Sequence, residues 1–123
     1  MSKKRWWLPL SAIAPLVFGA PTPVHADQQQ YVVVYVEFLP AVQKFGAQLL
    51  QRLADIGGAS PGAISFTANQ QIDRPNFYVL VEVWKNAAAY QTFKNAPTTQ
   101  ALIQKIQHFL EAPFDERDGT LIE

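Results

Sequence analysis

Phe77-Tyr78-Val79-Leu80-Val81-Glu82-Val83-Trp84 runs from aromatic to β-branched and aliphatic, with one carboxylate set among apolar neighbours. Such side chains suit a pleated, packed surface, so the stretch predicts a strand. Alternation assigns Phe77, Val79, Val81 and Val83 to one face and Tyr78, Leu80, Glu82 and Trp84 to the other. Neither face is polar throughout. A strand of this kind needs cover on both sides.

Upstream, Asp73-Arg74-Pro75-Asn76 is turn chemistry, and residues 63–70 before it predict a second strand with Ile64 and Phe66 on one face. The two strands should form an antiparallel hairpin. Earlier still, Val42, Phe45, Leu49, Leu53 and Ile56 recur at steps of three or four, which predicts one helix over about 41–56. Pro40 suits its first turn and Gly57-Gly58 its stop. Residues 31–38 form another strand that is apolar on both faces. Downstream, Asn86 is an N-cap for a short helix over 87–94 that ends before Pro97. Thr98 or Thr99 caps a further helix whose apolar side is Leu102, Ile103, Ile106, Phe109 and Leu110, broken by Pro113. The acidic tail ends in Thr120-Leu121-Ile122, a weaker fourth strand.

The order β-α-β-β-α-α-β, with the middle strands hairpinned, predicts an α+β ferredoxin-like sandwich built on an antiparallel sheet. Helices then cover one sheet face only. The other keeps enough apolar area that a small monomer would not leave it wet. The expectation is a homodimer with two sheets face to face; lining of a ligand cavity is the alternative use of those aromatics.

The first part of the 123 residues does not resemble a domain. Lys3, Lys4 and Arg5 precede an apolar run, and Val24-His25-Ala26 places small residues where a signal peptidase cuts. Residues 1–26 are therefore expected to be a cleaved signal peptide and 27–123 the domain, periplasmic or secreted, with no membrane anchor after cleavage. The run is shorter than the ~20 residues of a membrane span. The remaining chain carries seven Lys/Arg against ten Asp/Glu, a net charge of −3. That balance argues against a nucleic-acid surface. There is no cysteine, and His108 is the only histidine left, so a thiolate site and a two-histidine metal site lack ligands. No GxGxxG or Walker-type loop is present.

Taken together, Phe38-Leu39-Pro40 leading into the first helix, Ser60-Pro61-Gly62-Ala63 leading into strand two, Glu82-Val83-Trp84, the alanine-rich helix after it and Ala96-Pro97 resemble the antibiotic biosynthesis monooxygenase superfamily. These are small dimeric α/β-barrel proteins that include quinol monooxygenases. The resemblance covers residues 31 to about 110. It implies oxygenation without metal or flavin: an electron-rich phenol or quinol, once deprotonated, passes an electron to O₂ directly. Many relatives carry a histidine at the position that here is Phe93. The haem-degrading branch uses a strand-one asparagine and a histidine near the position of Ile103, and this chain has neither.

The candidate site residues follow from both lines. Trp84, Phe93 and Phe66 are expected to wall a pocket for a small aromatic or quinol compound. Glu82 shares a face with Trp84 and Tyr78; it is either ion-paired, with Arg74 or Lys85 as partner, or has a raised pKa and does proton work. His108 and Tyr35 are further proton partners, although a half-exposed histidine or a buried tyrosine commonly serves no site. Tyr78 and Asn69 are expected at the ligand, the latter at the sheet edge. The rival function is a non-catalytic dimeric binder of a small aromatic ligand.

Overall fold

The structure is a computed structural model that describes residues 28–122; the expected signal peptide lies outside the described residues. Strands β1 (Gln30–Glu37), β2 (Ala63–Gln70), β3 (Phe77–Trp84) and β4 (Asp115–Gly119) form one sheet in the order β2-β3-β1-β4. Every pairing is antiparallel. Helices α1 (Gln43–Gly58), α2 (Ala87–Asn95) and α3 (Pro97–Gln107) complete a ferredoxin-like α+β sandwich. Among the described residues, no helix is long and apolar enough to cross a membrane.

The alternation of β3 is obeyed residue by residue. Tyr78, Leu80, Glu82 and Trp84 are buried beneath the helices, whereas Val81 on the opposite face is 37% exposed. In β1, Val32, Val34 and Val36 share the covered face, and Tyr35 on the other is 50% exposed. The two central strands therefore carry the core on one side and an apolar, uncovered surface on the other.

Helix α1 begins later than its pattern predicts, because Pro40–Val42 form a 3₁₀ turn first. Its buried face is also rotated from the expected stripe. Gly46, Leu49, Leu50, Leu53, Ala54 and Gly57 point inward, while Phe45 is half exposed with its ring edge-on to Phe109 at 5.0 Å. The glycines explain the rotation. A Cβ on Gly46 would sit 2.5 Å from the ring of Phe38, and one on Gly57 would strike the ring of Phe66. The glycine pair expected to end the helix lies within its last turn, where Gly57 allows backbone and ring to meet.

Asn86 caps α2 as expected, accepting from the Ala89 amide at 2.8 Å. The caps of α3 differ from expectation: Ala96 is the N-cap, Pro97 occupies the first turn, and Thr99 is buried without a partner for its hydroxyl among the described residues. This helix stops at Gln107, well before Pro113, and Leu110 beyond it makes a bridge to Phe38. In β2, a bulge between Ala63 and Ser65 separates the two residues expected on one face. Phe66 packs against the core and Ile64 is 53% exposed.

The fourth strand is the largest departure. Asp115–Gly119 pairs with β1, not the apolar Thr120-Leu121-Ile122, whose Ile122 is 99% exposed. An edge strand pairs on one side only and tolerates charge, which a search for apolar alternation overlooks. Substituting Gly46→Ala should destabilise the fold by about 1–3 kcal/mol, since the fully buried Phe38 ring has no room to yield. Urea denaturation measures the loss; an unchanged midpoint would show that the contact is not tight.

Candidate functional site

The covered face does not close completely against the helices. A cavity of about 350 Å³ remains, walled by the apolar side chains of Val34, Leu53, Phe66, Leu80, Phe93, Ile103 and Phe114. Its polar lining is Glu82, Lys94, Gln100, Gln107 and Glu116. A larger depression of about 490 Å³ is formed by Gln107 and the turn 110–114, but its one carboxylate, Glu111, is exposed to solvent. The chemistry is concentrated in the smaller, less open space. Among the described residues, no group of three or more His, Asp or Glu side chains is arranged to hold a metal ion.

Glu82 enters this cavity because β3 alternation sends it to the helix side, opposite Phe66 on β2 and Val32 on β1. It is only 3% exposed. Its partner is neither Arg74 nor Lys85. The Trp84 indole N–H donates to Glu82 Oε1 at 2.9 Å, while the Arg74 guanidinium lies 3.6 Å over the Phe77 ring. Burial pushes the Glu82 carboxyl up to about 7; the Trp84 hydrogen bond works against that, and the charges of Glu116 and Asp118 add to it.

Trp84 itself is fully buried, one layer behind the cavity wall. It stacks on Phe93 with ring centroids 5.1 Å apart and meets Phe66 and Tyr90 at 6.4 and 5.9 Å. Phe93 and Phe66 therefore form the wall, and Trp84 holds both the wall and the carboxylate.

A second cluster closes the opposite side. The Tyr90 hydroxyl donates to Glu116 Oε2 at 2.7 Å, and Lys94 Nζ reaches Oε1 and Oε2 of the same carboxylate at 3.2 and 3.4 Å. Burial works to raise Glu116, but hydrogen bonds from Tyr90, Asp118 and Lys94 outweigh it and hold the carboxyl below its ordinary value. Asp118, two residues on along the same face of β4, is pushed up to about 6 by burial and by its hydrogen bond to Glu116. Tyr90 stays protonated far above neutrality, through burial and its bond to Glu116.

Of the residues singled out in the sequence, Glu82, Phe66 and Phe93 meet in the cavity. The others lie elsewhere. Tyr35 is on the uncovered sheet face, with the Arg117 guanidinium 5.5 Å from its ring. His108 is exposed at the C-terminal cap of α3. The Tyr78 hydroxyl accepts from Gln43 and Gln70 at 2.5 and 3.0 Å, and its ring packs edge-on to Phe38. Asn69 is exposed and donates to Thr67 and to the Val79 carbonyl. Glu116, Lys94, Tyr90 and Gln100 escaped the sequence analysis. The available signal was the i, i+4 spacing of Tyr90 and Lys94 on one helix face, together with a strand alternation in Glu116 and Asp118 hidden by their charge.

The sequence profile of the antibiotic biosynthesis monooxygenases matches residues 30–105, which takes in the cavity from β1 to most of α3. The chain belongs to the antibiotic biosynthesis monooxygenase family. Solved structures agree with that membership at the level of the fold. A proposed antibiotic biosynthesis monooxygenase from Nitrosomonas europaea superposes with a TM-score of 0.73 at 14% identity, covering 78% of this chain and 92% of that one. Another from Caulobacter crescentus gives 0.73 at 13% identity, with 81% and 95% covered. A Bacteroides thetaiotaomicron protein of unknown function gives 0.72 at 14%, with 78% and 100% covered. Comparison with the curated proteins finds no significant match.

In this family member the Glu82 carboxyl titrates higher in the folded state than in the unfolded chain, so the fold binds its proton more tightly. Stability from this group is therefore present at low pH and lost as pH rises from the ordinary value of 4.5 through about 7. The span corresponds to roughly 3 kcal/mol. Glu82→Gln keeps an acceptor for Trp84 and should gain stability over the parent at about pH 8 but not at about pH 4. Denaturant melts at the two pH values decide it; an equal difference at both would mean that Glu82 is not buried as described.

Proposed function

We propose that the protein is a cofactor-independent monooxygenase that oxidises a small phenolic or quinol compound with O₂. The observation that carries this reading is Glu82: a buried carboxylate raised to about 7, set in an aromatic-walled cavity and held by an indole N–H. A general base works best with a pKa near the operating pH. Family membership supports the oxygenation chemistry, and Phe93 in the position of the relatives' histidine leaves Glu82 as the titratable group best placed to serve as base.

In this scheme the substrate lies against Phe66 and Phe93, and its hydroxyl gives a proton to the Glu82 carboxylate. The resulting phenolate transfers one electron to O₂, giving a phenoxyl radical and superoxide. These combine at a ring carbon to form a peroxide anion, which takes back the proton held by Glu82 and becomes a hydroperoxide. Loss of the ring C–H proton to the Glu82 carboxylate then breaks the O–O bond, one oxygen staying as a carbonyl and the other leaving as hydroxide, which that proton converts to water. Trp84 keeps the receiving oxygen aimed at the cavity through its hydrogen bond to Glu82 Oε1.

The uncovered sheet face supports a homodimer. Tyr31, Val33 and Tyr35 of β1 lie beside Phe77, Val79, Val81 and Val83 of β3. Burying a few hundred Å² of such surface at ~25 cal/mol per Å² contributes several kcal/mol. Export by the 1–26 leader would place this dimer in the periplasm or outside the cell.

A second reading, a binding protein for the same ligand class, draws support from Phe93 in place of the relatives' histidine. Oxygen uptake with a panel of quinols separates the two. Uptake should rise with pH through about 7, because the base is the ionised carboxylate. It should fall roughly 10²- to 10⁴-fold in kcat for Glu82→Gln. Undiminished turnover in that variant removes Glu82 from the mechanism, and tight binding without any uptake makes the protein a binder.

Sedimentation of residues 27–123 at micromolar concentration should report a dimer, and Val81→Asp should dissociate it. A well-folded monomeric parent would refute the sheet-to-sheet assembly.

A further inference from the structure

The polar lining of the cavity contains a single cation, Lys94, among the described residues. That cation is already committed. Its ammonium contacts both oxygens of Glu116, and Glu116 is held in turn by the Tyr90 hydroxyl. The pair spans from α2 to β4, the lysine side chain 39% and the glutamate 27% exposed. With Lys94 neutralised, the remaining charge facing the cavity is the carboxylate of Glu82. Asp118 adjoins Glu116 and adds negative charge beside the lysine.

We infer that the Lys94–Glu116 pair sets the charge selectivity of the cavity, admitting uncharged one- or two-ring hydroxyarenes and rejecting aromatic carboxylates of the same shape. An uncharged phenol or quinol places its hydroxyl on Glu82 and its ring on Phe66 and Phe93, with no charge left unmatched. An aromatic carboxylate of equal size brings a second anion into a half-open, mostly apolar pocket beside Glu82. Among the described residues the one cation in the lining, Lys94, is tied to Glu116, and a charge taken partly out of water without a partner is costly. Selectivity of this kind works through repulsion as much as attraction. The inference deepens the proposed function, resting on the cavity as the substrate site, and it adds the pair that decides which aromatics enter.

The same geometry specifies how to reverse the preference. Glu116→Gln removes the negative charge yet retains an oxygen to accept from Tyr90. Asp118 stands ready to take over the lysine, so the informative variant is Glu116→Gln with Asp118→Asn, which leaves Lys94 free to meet an anion. Converting Lys94→Met in that background should cancel the gain.

Binding of 2-naphthol and 2-naphthoate to residues 27–123, followed by isothermal calorimetry at about pH 8 where Glu82 is ionised, reads this directly. The parent should bind the naphthol at least about tenfold more tightly than the naphthoate. The Glu116→Gln, Asp118→Asn protein should gain about tenfold for the naphthoate, and the triple variant should lose it again. Circular dichroism melts confirm that each variant is folded. Equal affinity of the parent for both ligands, or an unchanged preference in the folded double variant, overturns the assignment of the pair while leaving the cavity as a site. Binding of neither ligand to the parent overturns the cavity as an aromatic site and the selectivity with it. Oxygen uptake is not needed for any of these outcomes, so a failure of catalysis and a failure of selectivity remain distinct.

Discussion

A single hydrogen bond, from the Trp84 indole to the Glu82 carboxylate, joins the structural core of this protein to its candidate chemistry. Each partner requires the other. The indole is fully buried and its N–H would be unsatisfied without an acceptor; the carboxylate is buried and makes no ion pair among the described residues. Two residues apart on a strand, they face the same way, so the backbone itself sets their approach. The ring of Trp84 is then immobilised by Phe93, Phe66 and Tyr90, which come from a helix, a neighbouring strand and the same helix again. The orientation of the carboxylate is thus determined by aromatic packing more than by charge.

That arrangement divides labour across β3. Its covered side supplies the carboxylate, the indole and part of the cavity, while its other side supplies an apolar surface. A displacement of register by one residue would exchange the two sides completely. The two antiparallel pairings of β3 and the hairpin turn at Arg74–Phe77, where the Phe77 amide donates to the Arg74 carbonyl at 2.9 Å, hold that register.

The sequence made the apolar half of this architecture legible. Alternation in β1 and β3 located the covered face, the three-four spacing found α1, and Asn86 marked the start of α2 with its cap. The ferredoxin-like order followed from those elements, and so did the grouping of Glu82 with Phe66 and Phe93. What stayed hidden has two physical causes. Close approach by glycine leaves no hydrophobic signature, so the inward rotation of α1 around Gly46 and Gly57 could not be read from its large residues. Charge on an edge strand mimics a loop, so Glu116 and Asp118 were missed, and with them the lysine and tyrosine they hold. Tyr35 and His108 have suitable chemistry, yet side-chain chemistry alone carries no information about which side of a sheet or which end of a helix it occupies.

The contact between Phe66 and the backbone of Gly57 has a consequence for how this scaffold can diversify. The phenyl ring rests directly on the main chain of α1, so it cannot retreat toward the helix, and its size limits how far the chamber extends on that side. Shortening it would enlarge the space and would also remove one of the three rings packed on Trp84, loosening the indole that holds the Glu82 carboxylate. Descendants of this protein that change the bulk of this side chain therefore change the volume of the chamber and the support of its buried carboxylate together.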